Sequence, residues 1–259
     1  FRDFVCCIIA FGVPVAFTVG ISAASFFVTK GIPMEIVVQK MVSSTQSFSL
    51  LAVPFFVLAG NLMNETGITS RLIKFCNLAT GHMRGGLAQV SVLLSCLMGG
   101  ISGSATADAA MESRILGPDM EKKGYSKGFT AAILAMGGLI TATIPPSLGL
   151  ILYGVTGEVS IGRLFLAGIV PGILMTIVLM FAVSRISKKR DYAPEREKIA
   201  TLPELLKGLI DNIWALMFPV ILIVGIRFGV LHLPRQEHLQ FVYALFVGMF
   251  VYRELTVKN

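Results

Sequence analysis

The chain has 259 residues, 54% of them hydrophobic and only 14% charged, with a net charge of +7. A soluble domain carries about a quarter charged residues, so this composition excludes an ordinary soluble domain, and no aromatic-interleaved basic patch supports a nucleic-acid binder. Apolar stretches of spanning length recur, which predicts an all-α polytopic membrane protein rather than an outer-membrane barrel, with its positive charge in cytoplasmic loops beside lipid.

Residues 4–29 read as a first span with a kink at Gly12-Val13-Pro14, because proline removes a backbone donor. The segment 35–44 is short and amphipathic and is expected at the interface. Residues 48–63 form a second span that again holds a proline, Pro54, and 64–67 is a turn. A basic stretch follows with Arg71, Lys74 and Arg84. The four cysteines, Cys6, Cys7, Cys76 and Cys96, lie in or beside apolar segments without metal-ligand spacing and read as buried free thiols.

From Leu93 an apolar run dissolves into GGISGSATADAA, residues 99–110. Non-helical backbone at membrane depth is tolerated only where protein or a water-filled cavity supplies its hydrogen bonds, and a carboxylate there is by default a functional-site hypothesis. Basic residues stand on both sides, Arg71, Lys74 and Arg84 before, Arg114, Lys122, Lys123 and Lys127 after. A single crossing would place one group outside, against the positive-inside tendency. Two half-length helices, 87–101 and 104–116, meeting at Ser102-Gly103 in a re-entrant hairpin keep both groups cytoplasmic. Glu112 and Arg114 read as a solvated or interfacial pair at the hairpin base.

The next span, 129–154, is broken in its middle by Thr141-Ala142-Thr143-Ile144-Pro145-Pro146-Ser147. Two prolines remove two donors and free carbonyls upstream. Discontinuous helices of this kind hold sodium ions and anionic substrates in many secondary transporters. Residues 164–184 return to the cytoplasm, fixed by Arg185, Lys188, Lys189 and Arg190, and a charged loop runs through Lys207. Another span is expected at 210–225, with Trp214 as an interface anchor, and a shorter apolar run at 242–252. There is no Walker loop and no His-Glu-x-x-His helix, and Ser102-Gly103-Ser104 has no suitably placed histidine or lysine partner, so the chain does not read as an enzyme.

Five blocks in order carry a family resemblance: LLAVPFFVLAGNLMN at 50–64, GGISGSATADAA at 99–110, TIPPSLGLILYGV at 143–155, SIGRLFLAGIVPG at 160–172 and YALFVGMFVYREL at 243–255. They resemble the large membrane subunit of TRAP (tripartite ATP-independent periplasmic) transporters, the DctM type. The resemblance implies the first half of an inverted-repeat, elevator-type ion-transporter fold in a bacterial or archaeal inner membrane. It implies sodium-driven uptake of organic acids such as C4-dicarboxylates or sialic acids, with a small membrane subunit and a periplasmic binding protein as partners. Sodium is the coupling ion and no other cofactor is expected. Two alternatives stand beside this reading: a dicarboxylate/sodium symporter that works without a binding protein, and a non-transporting assembly fragment.

Carried onto this chain, the resemblance puts Ser102, Gly103, Ser104 and Asp108 at the hairpin tip and Thr141, Thr143, Pro145, Pro146 and Ser147 in the facing broken helix. One sodium ion is expected among Ser102, Gly103, Ser104, Thr143 and Pro145, since a hard cation asks for carbonyl and hydroxyl oxygens. Asp108 reads first as a structural acceptor tying the hairpin to its neighbour and second as an ion ligand. Four segments follow: scaffold helices and interfacial segment in 1–84, hairpin and broken helix in 85–158, a span and basic loop in 159–207, and the start of a second half in 208–259. The chain stops well short of the family's length, so alone it is not expected to transport. Residues 230–242 depart from the family pattern, either through two compensating single-base frame changes or as a divergent loop, and His232 and His238 are not read as ligands.

Overall fold

A computed structural model of the chain describes residues 12–45, 68–214 and 217. Among the described residues every regular element is a helix. The expected span at 48–63, Cys6, Cys7, residues 215–216 and 218–225 of the span expected at 210–225, and the segments 230–242 and 242–252 lie outside them. Two compact units partition the chain at residue 50.

The first unit holds α1 (Val15–Thr29) and α2 (Met34–Thr45). The kink expected inside a continuous span is instead a helix start. Pro14 has extended backbone geometry and Gly12 sits at φ +76, so no helix passes through them. α1 ends in a left-handed turn at Gly31, with the Ile32 amide donating to the Phe27 carbonyl at 3.0 Å. The predicted amphipathic segment is α2, which follows Pro33 and carries Glu35 in its first turn.

The second unit runs α3 (Ile68–Thr80), α4 (Gly86–Gly99), α5 (Ala105–Ile115), α6 (Gly117–Lys122), α7 (Lys127–Thr143), α8 (Leu148–Thr156), α9 (Ile161–Arg190) and α10 (Leu202–Asp211). α4 and α5 are two short helices joined by a tight turn, and both pack on α7. Leu72, Leu94, Met98, Ile133, Ile140 and Val183 belong to the core between α3, α4, α7 and α9. α7 and α8 form one apolar unit bent by 46° at the break. Their prolines explain the bend, since Pro145 and Pro146 have no N–H to return to the carbonyls of Thr141 and Ala142.

Among the described residues α9 is the one helix long and apolar enough to cross a membrane by itself. At 1.5 Å per residue it is about 45 Å long, against a hydrocarbon core of about 30 Å. Val170, Leu174, Ile177 and Phe181 on it are exposed, as a lipid-facing side would be, while Gly168, Gly172 and Thr176 are buried. Its end is basic, Lys188-Lys189-Arg190, which complements the helix dipole. Beyond it the expected loop contains a further helix. α10 opens with a capping box at Thr201, where the Glu204 carboxylate accepts from the Thr201 amide at 3.2 Å. α10 ends at Asp211 and helix resumes at Ile213 and Trp214, beyond which, Met217 apart, the span expected at 210–225 lies outside the described residues.

Candidate functional site: a hairpin tip docked on a broken helix

Apolar packing does not drive helix association in lipid as it does in water; small residues and polar contacts hold helices together. A polar seam does this between α4, α5 and α7. Asp108 and Glu112 lie one turn apart on α5 and are buried, at 1% and 0% exposure. Ser91 and Ser95 lie one turn apart on α4. The Ser91 hydroxyl donates to Glu112 Oε2 at 2.5 Å and the Ser95 hydroxyl to Glu112 Oε1 at 2.7 Å.

Thr141 Oγ1 on α7 is within hydrogen-bond distance of both Asp108 Oδ2 and, at 3.0 Å, the Ser95 carbonyl. This one side chain touches both arms of the hairpin. Asp108 Oδ1 is buried with no hydrogen-bond partner. Gly137 makes the approach of α7 possible, because a Cβ there would run into the Ser95 side chain. On the far side of α4, Gln89 Nε2 donates to the Met180 carbonyl and the Ser184 hydroxyl of α9, both at 2.9 Å.

The sequence reading of Glu112 and Arg114 as a solvated pair is overturned. Glu112 is fully buried and bonded to serines, while Arg114 is exposed. Helical geometry gives the reason, since residues 108 and 112 share a face and residue 114 points elsewhere. The matching i, i+4 pairs, Ser91/Ser95 and Asp108/Glu112, were the signal available in the sequence.

The tip is built from the end of α4. Gly103 has φ +57, a left-handed conformation that a side chain disfavours, and a Cβ there would run into the Pro146 carbonyl. Its own carbonyl accepts from the Leu148 amide at 3.3 Å, so the tip is bonded to the first residue of α8. Ser104 caps α5, its hydroxyl accepting from the Ala107 amide at 3.4 Å, and Ser147 caps α8, accepting from the Leu150 amide at 3.4 Å. Two helix N-termini therefore open at one place, each contributing partial positive charge.

Of the residues singled out in the sequence, Gly103, Ser104, Pro146 and Ser147 meet at this junction. Ser102 is buried beside it, its hydroxyl donating to the Met98 carbonyl at 3.4 Å. Asp108 and Thr141 are together in the seam. Thr143 turns away, its hydroxyl on the Leu139 carbonyl at 2.8 Å and 3.8 Å from Met175 Sδ of α9. Pro145 is buried in the break, joined to Pro146 by a cis peptide bond.

The turn into α7 and the end of α9 share an aromatic cluster. The Tyr125 and Tyr192 rings stack at 4.3 Å, with Phe129 5.3 Å from Tyr192. The Ser126 amide donates to Tyr192 Oη at 3.1 Å and Arg190 donates to the Ser126 hydroxyl at 2.9 Å. Hydrogen bonding from Ser126, helped by Arg190, holds the Tyr192 phenol down to about 8, whereas burial pushes Tyr125 up to about 12.

Comparison with known proteins agrees with the blocks quoted from the sequence. The family model described as "Tripartite ATP-independent periplasmic transporter, DctM component" matches residues 4–259. The 2,3-diketo-L-gulonate TRAP transporter large permease protein YiaN of Escherichia coli is 39% identical over 253 residues, covering 96% of this chain and 58% of its own length. The sialic acid TRAP transporter permease protein SiaT of Haemophilus influenzae is 38% identical over 249 residues, covering 96% and 40%. The C4-dicarboxylate TRAP transporter large permease protein DctM of Rhodobacter capsulatus is 31% identical over 263 residues, covering 96% and 59%. The chain thus spans between two fifths and three fifths of the length of these relatives, which are named as permeases and not as enzymes.

Proposed function

The chain belongs to the DctM component family of tripartite ATP-independent periplasmic transporters, and on that premise we propose that it is part of the large membrane subunit of a sodium-gradient-driven importer of organic acids. It lies in the inner membrane as a multi-pass protein. Its substrate is a small carboxylate, the class named for the relatives that carry diketogulonate, sialic acid and C4-dicarboxylates. A periplasmic binding protein delivers it, and a small membrane subunit completes the permease; a relative named DctMQ, 37% identical, is consistent with that pairing.

The observation that carries this reading is the tip-to-break contact, Gly103 carbonyl to Leu148 amide, with α5 and α8 both starting there. Carbonyls and hydroxyls around Ser102, Gly103 and Ser104, with backbone oxygens at Thr143 and Pro145, supply the hard donors that sodium requires. The helix N-termini at Ser104 and Ser147 supply positive potential for a carboxylate. Asp108 braces the hairpin against α7 through Thr141. In this reading the hairpin is re-entrant and, with the broken helix, forms half of an elevator domain within segment 85–158. A second hairpin and broken helix belong to the length of the relatives that this chain does not span.

The test is uptake of labelled carboxylates into proteoliposomes by the full-length permease with its small subunit and binding protein. Uptake that needs both an inward sodium gradient and the binding protein supports the proposal. Uptake independent of the binding protein favours the simpler symporter, and uptake indifferent to sodium overturns the coupling.

A further inference from the structure

α9 braces both sides of the break. Its first turns carry Ile161 and Phe165, which are buried with Ile151 of α8, and Leu148 and Leu150 pack against them. Further along, the same continuous helix meets the end of α7, where Thr143 Oγ1 lies 3.8 Å from Met175 Sδ. From residue 165 to residue 175 a helix advances about 15 Å. One rod therefore holds the two bent halves at separate points.

Between those points two buried glycines of α9 face the break. A Cβ at Gly168 would lie 2.7 Å from the Thr143 carbonyl oxygen, closer than carbon tolerates, and 3.7 Å from Pro145 Cδ. A Cβ at Gly172 would run into Ile144 Cγ1 and stand 3.4 Å from its Cδ1. From the opposite side Gly99, at the end of α4, receives the same side chain. A Cβ there would be 2.9 Å from Ile144 Cβ and 3.3 Å from its Cγ2. The two arms of Ile144 thus enter hollows left by glycines on two different helices. Branching at Cβ makes χ1 stiff, and the proline that follows keeps the Ile144 backbone extended, at φ −75 and ψ 128. Gripping this side chain therefore fixes the main chain on either side of it.

From these contacts we infer that Gly168 and Gly172 of α9 are positioning residues for the coupling ion. Gly168 sets how closely the Thr143 carbonyl approaches α9. Gly172 seats Ile144, the peg through which it acts on the same stretch of main chain. The inference rests on the reading that sodium takes backbone oxygens at Thr143 and Pro145. It brings α9, which holds none of the site residues singled out in the sequence, into the ion site as a wall. Neither glycine offers a ligand. Each acts by the side chain it lacks, so a methyl group added there displaces a sodium donor.

The experiment uses the full-length permease with its small subunit and binding protein in proteoliposomes. It reads the sodium concentration for half-maximal uptake and the substrate KM at saturating sodium. A second readout, on purified permease without substrate, is the sodium concentration that half-saturates the rise in thermal midpoint. Gly168→Ala and Gly172→Ala are each expected to raise both sodium values about fivefold, the scale of a donor held slightly out of place, and to leave KM unchanged. Ile144→Ala empties the seat and should raise them as well. Combined with Gly172→Ala it returns a methyl group to the gap, so the pair should move back towards wild type, and plain additivity overturns the inference. Gly86→Ala, whose Cβ would run into the Glu195 amide at the start of α4, controls for crowding alone. It should lower the thermal midpoint without moving the sodium values, and an equal sodium shift there overturns the inference. Where an alanine variant yields no folded permease, Ile144→Val, which only shortens the peg, carries the test with an expected rise of about twofold. Variant curves that overlay a sodium-dependent wild type, or a KM that rises in step with the sodium values, overturn this inference alone. A wild type indifferent to sodium overturns the reading beneath it.

Discussion

Ser95 and Glu112 face each other across the hairpin, the serine hydroxyl donating to Oε1 at 2.7 Å while the serine carbonyl holds Thr141 of the broken helix at 3.0 Å. Ser95 thus joins all three helices of the seam, with one group turned to each neighbour. Interhelical hydrogen bonds in membranes average about 0.6 kcal/mol and reach about 1.7. Glu112→Ala strips two of them and leaves two buried hydroxyls without acceptors, so it is expected to lower unfolding stability by about 1–3 kcal/mol. Glu112→Gln keeps an acceptor for one serine and a donor for the other and should lose less than half of that. Thermal unfolding of both variants in detergent measures the difference. Equal behaviour of the two would remove the seam as a source of stability.

Gly103→Ala meets two penalties, a left-handed backbone worth about 1–2 kcal/mol and a Cβ directed at the Pro146 carbonyl. It should undock the tip and reduce uptake by at least tenfold. Gly128→Ala is the control. Gly128 lies in α7 with open space around its missing side chain, so alanine there should stabilise by about 0.5–1 kcal/mol through helix propensity.

The sodium placement is tested by Ser104→Ala and Pro145→Ala. Each should raise the sodium concentration for half-maximal uptake at least threefold, since each disturbs a donor or the break that frees one. Sodium activation curves in proteoliposomes that overlay wild type would sink the assignment.

Tyr192 provides a pH test just beyond the end of α9. Its phenol ionises near 8 in the fold and near 10 in the unfolded chain. A depressed folded value means that the contribution to stability is full above about 10 and is lost as pH falls through about 8. Phenolate absorbance should show one tyrosine titrating near 8 that disappears in Tyr192→Phe. Ser126→Ala removes the hydroxyl that leads this shift, so the midpoint should rise towards 10. A midpoint that stays at 8 would assign the effect to Arg190 instead.

The break at Pro145 and Pro146 and the glycine tip at 99–103 were legible because missing donors and a missing Cβ are properties of single residues. Glu112 was not, since a charged residue two positions from an arginine suggests a surface pair until the helical face is traced against Ser91 and Ser95. α10 was hidden for a related reason. Its charged composition reads as loop, although Thr201 and Glu204 already spelled a capping box. The Thr143 hydroxyl shows the converse limit, because spacing alone could not tell that it would bond its own helix at Leu139.

The chain leaving α9 is bonded back to the entrance of α4. The Gly81 carbonyl accepts from the amides of both Glu195 and Arg196, at 2.7 and 3.0 Å, and the Gly85 amide donates to the Tyr192 carbonyl at 3.2 Å. Lys123 pairs with Glu195 beside them. The entrance to α4 and the exit from α9 are therefore knotted by main-chain bonds, which among substitutions only a proline at one of the donors removes. In the proposed elevator reading a stroke of the hairpin carries the foot of α9 along like a hinged strut, and with it α10, which is held by the Arg196–Glu204 pair and docked on α3.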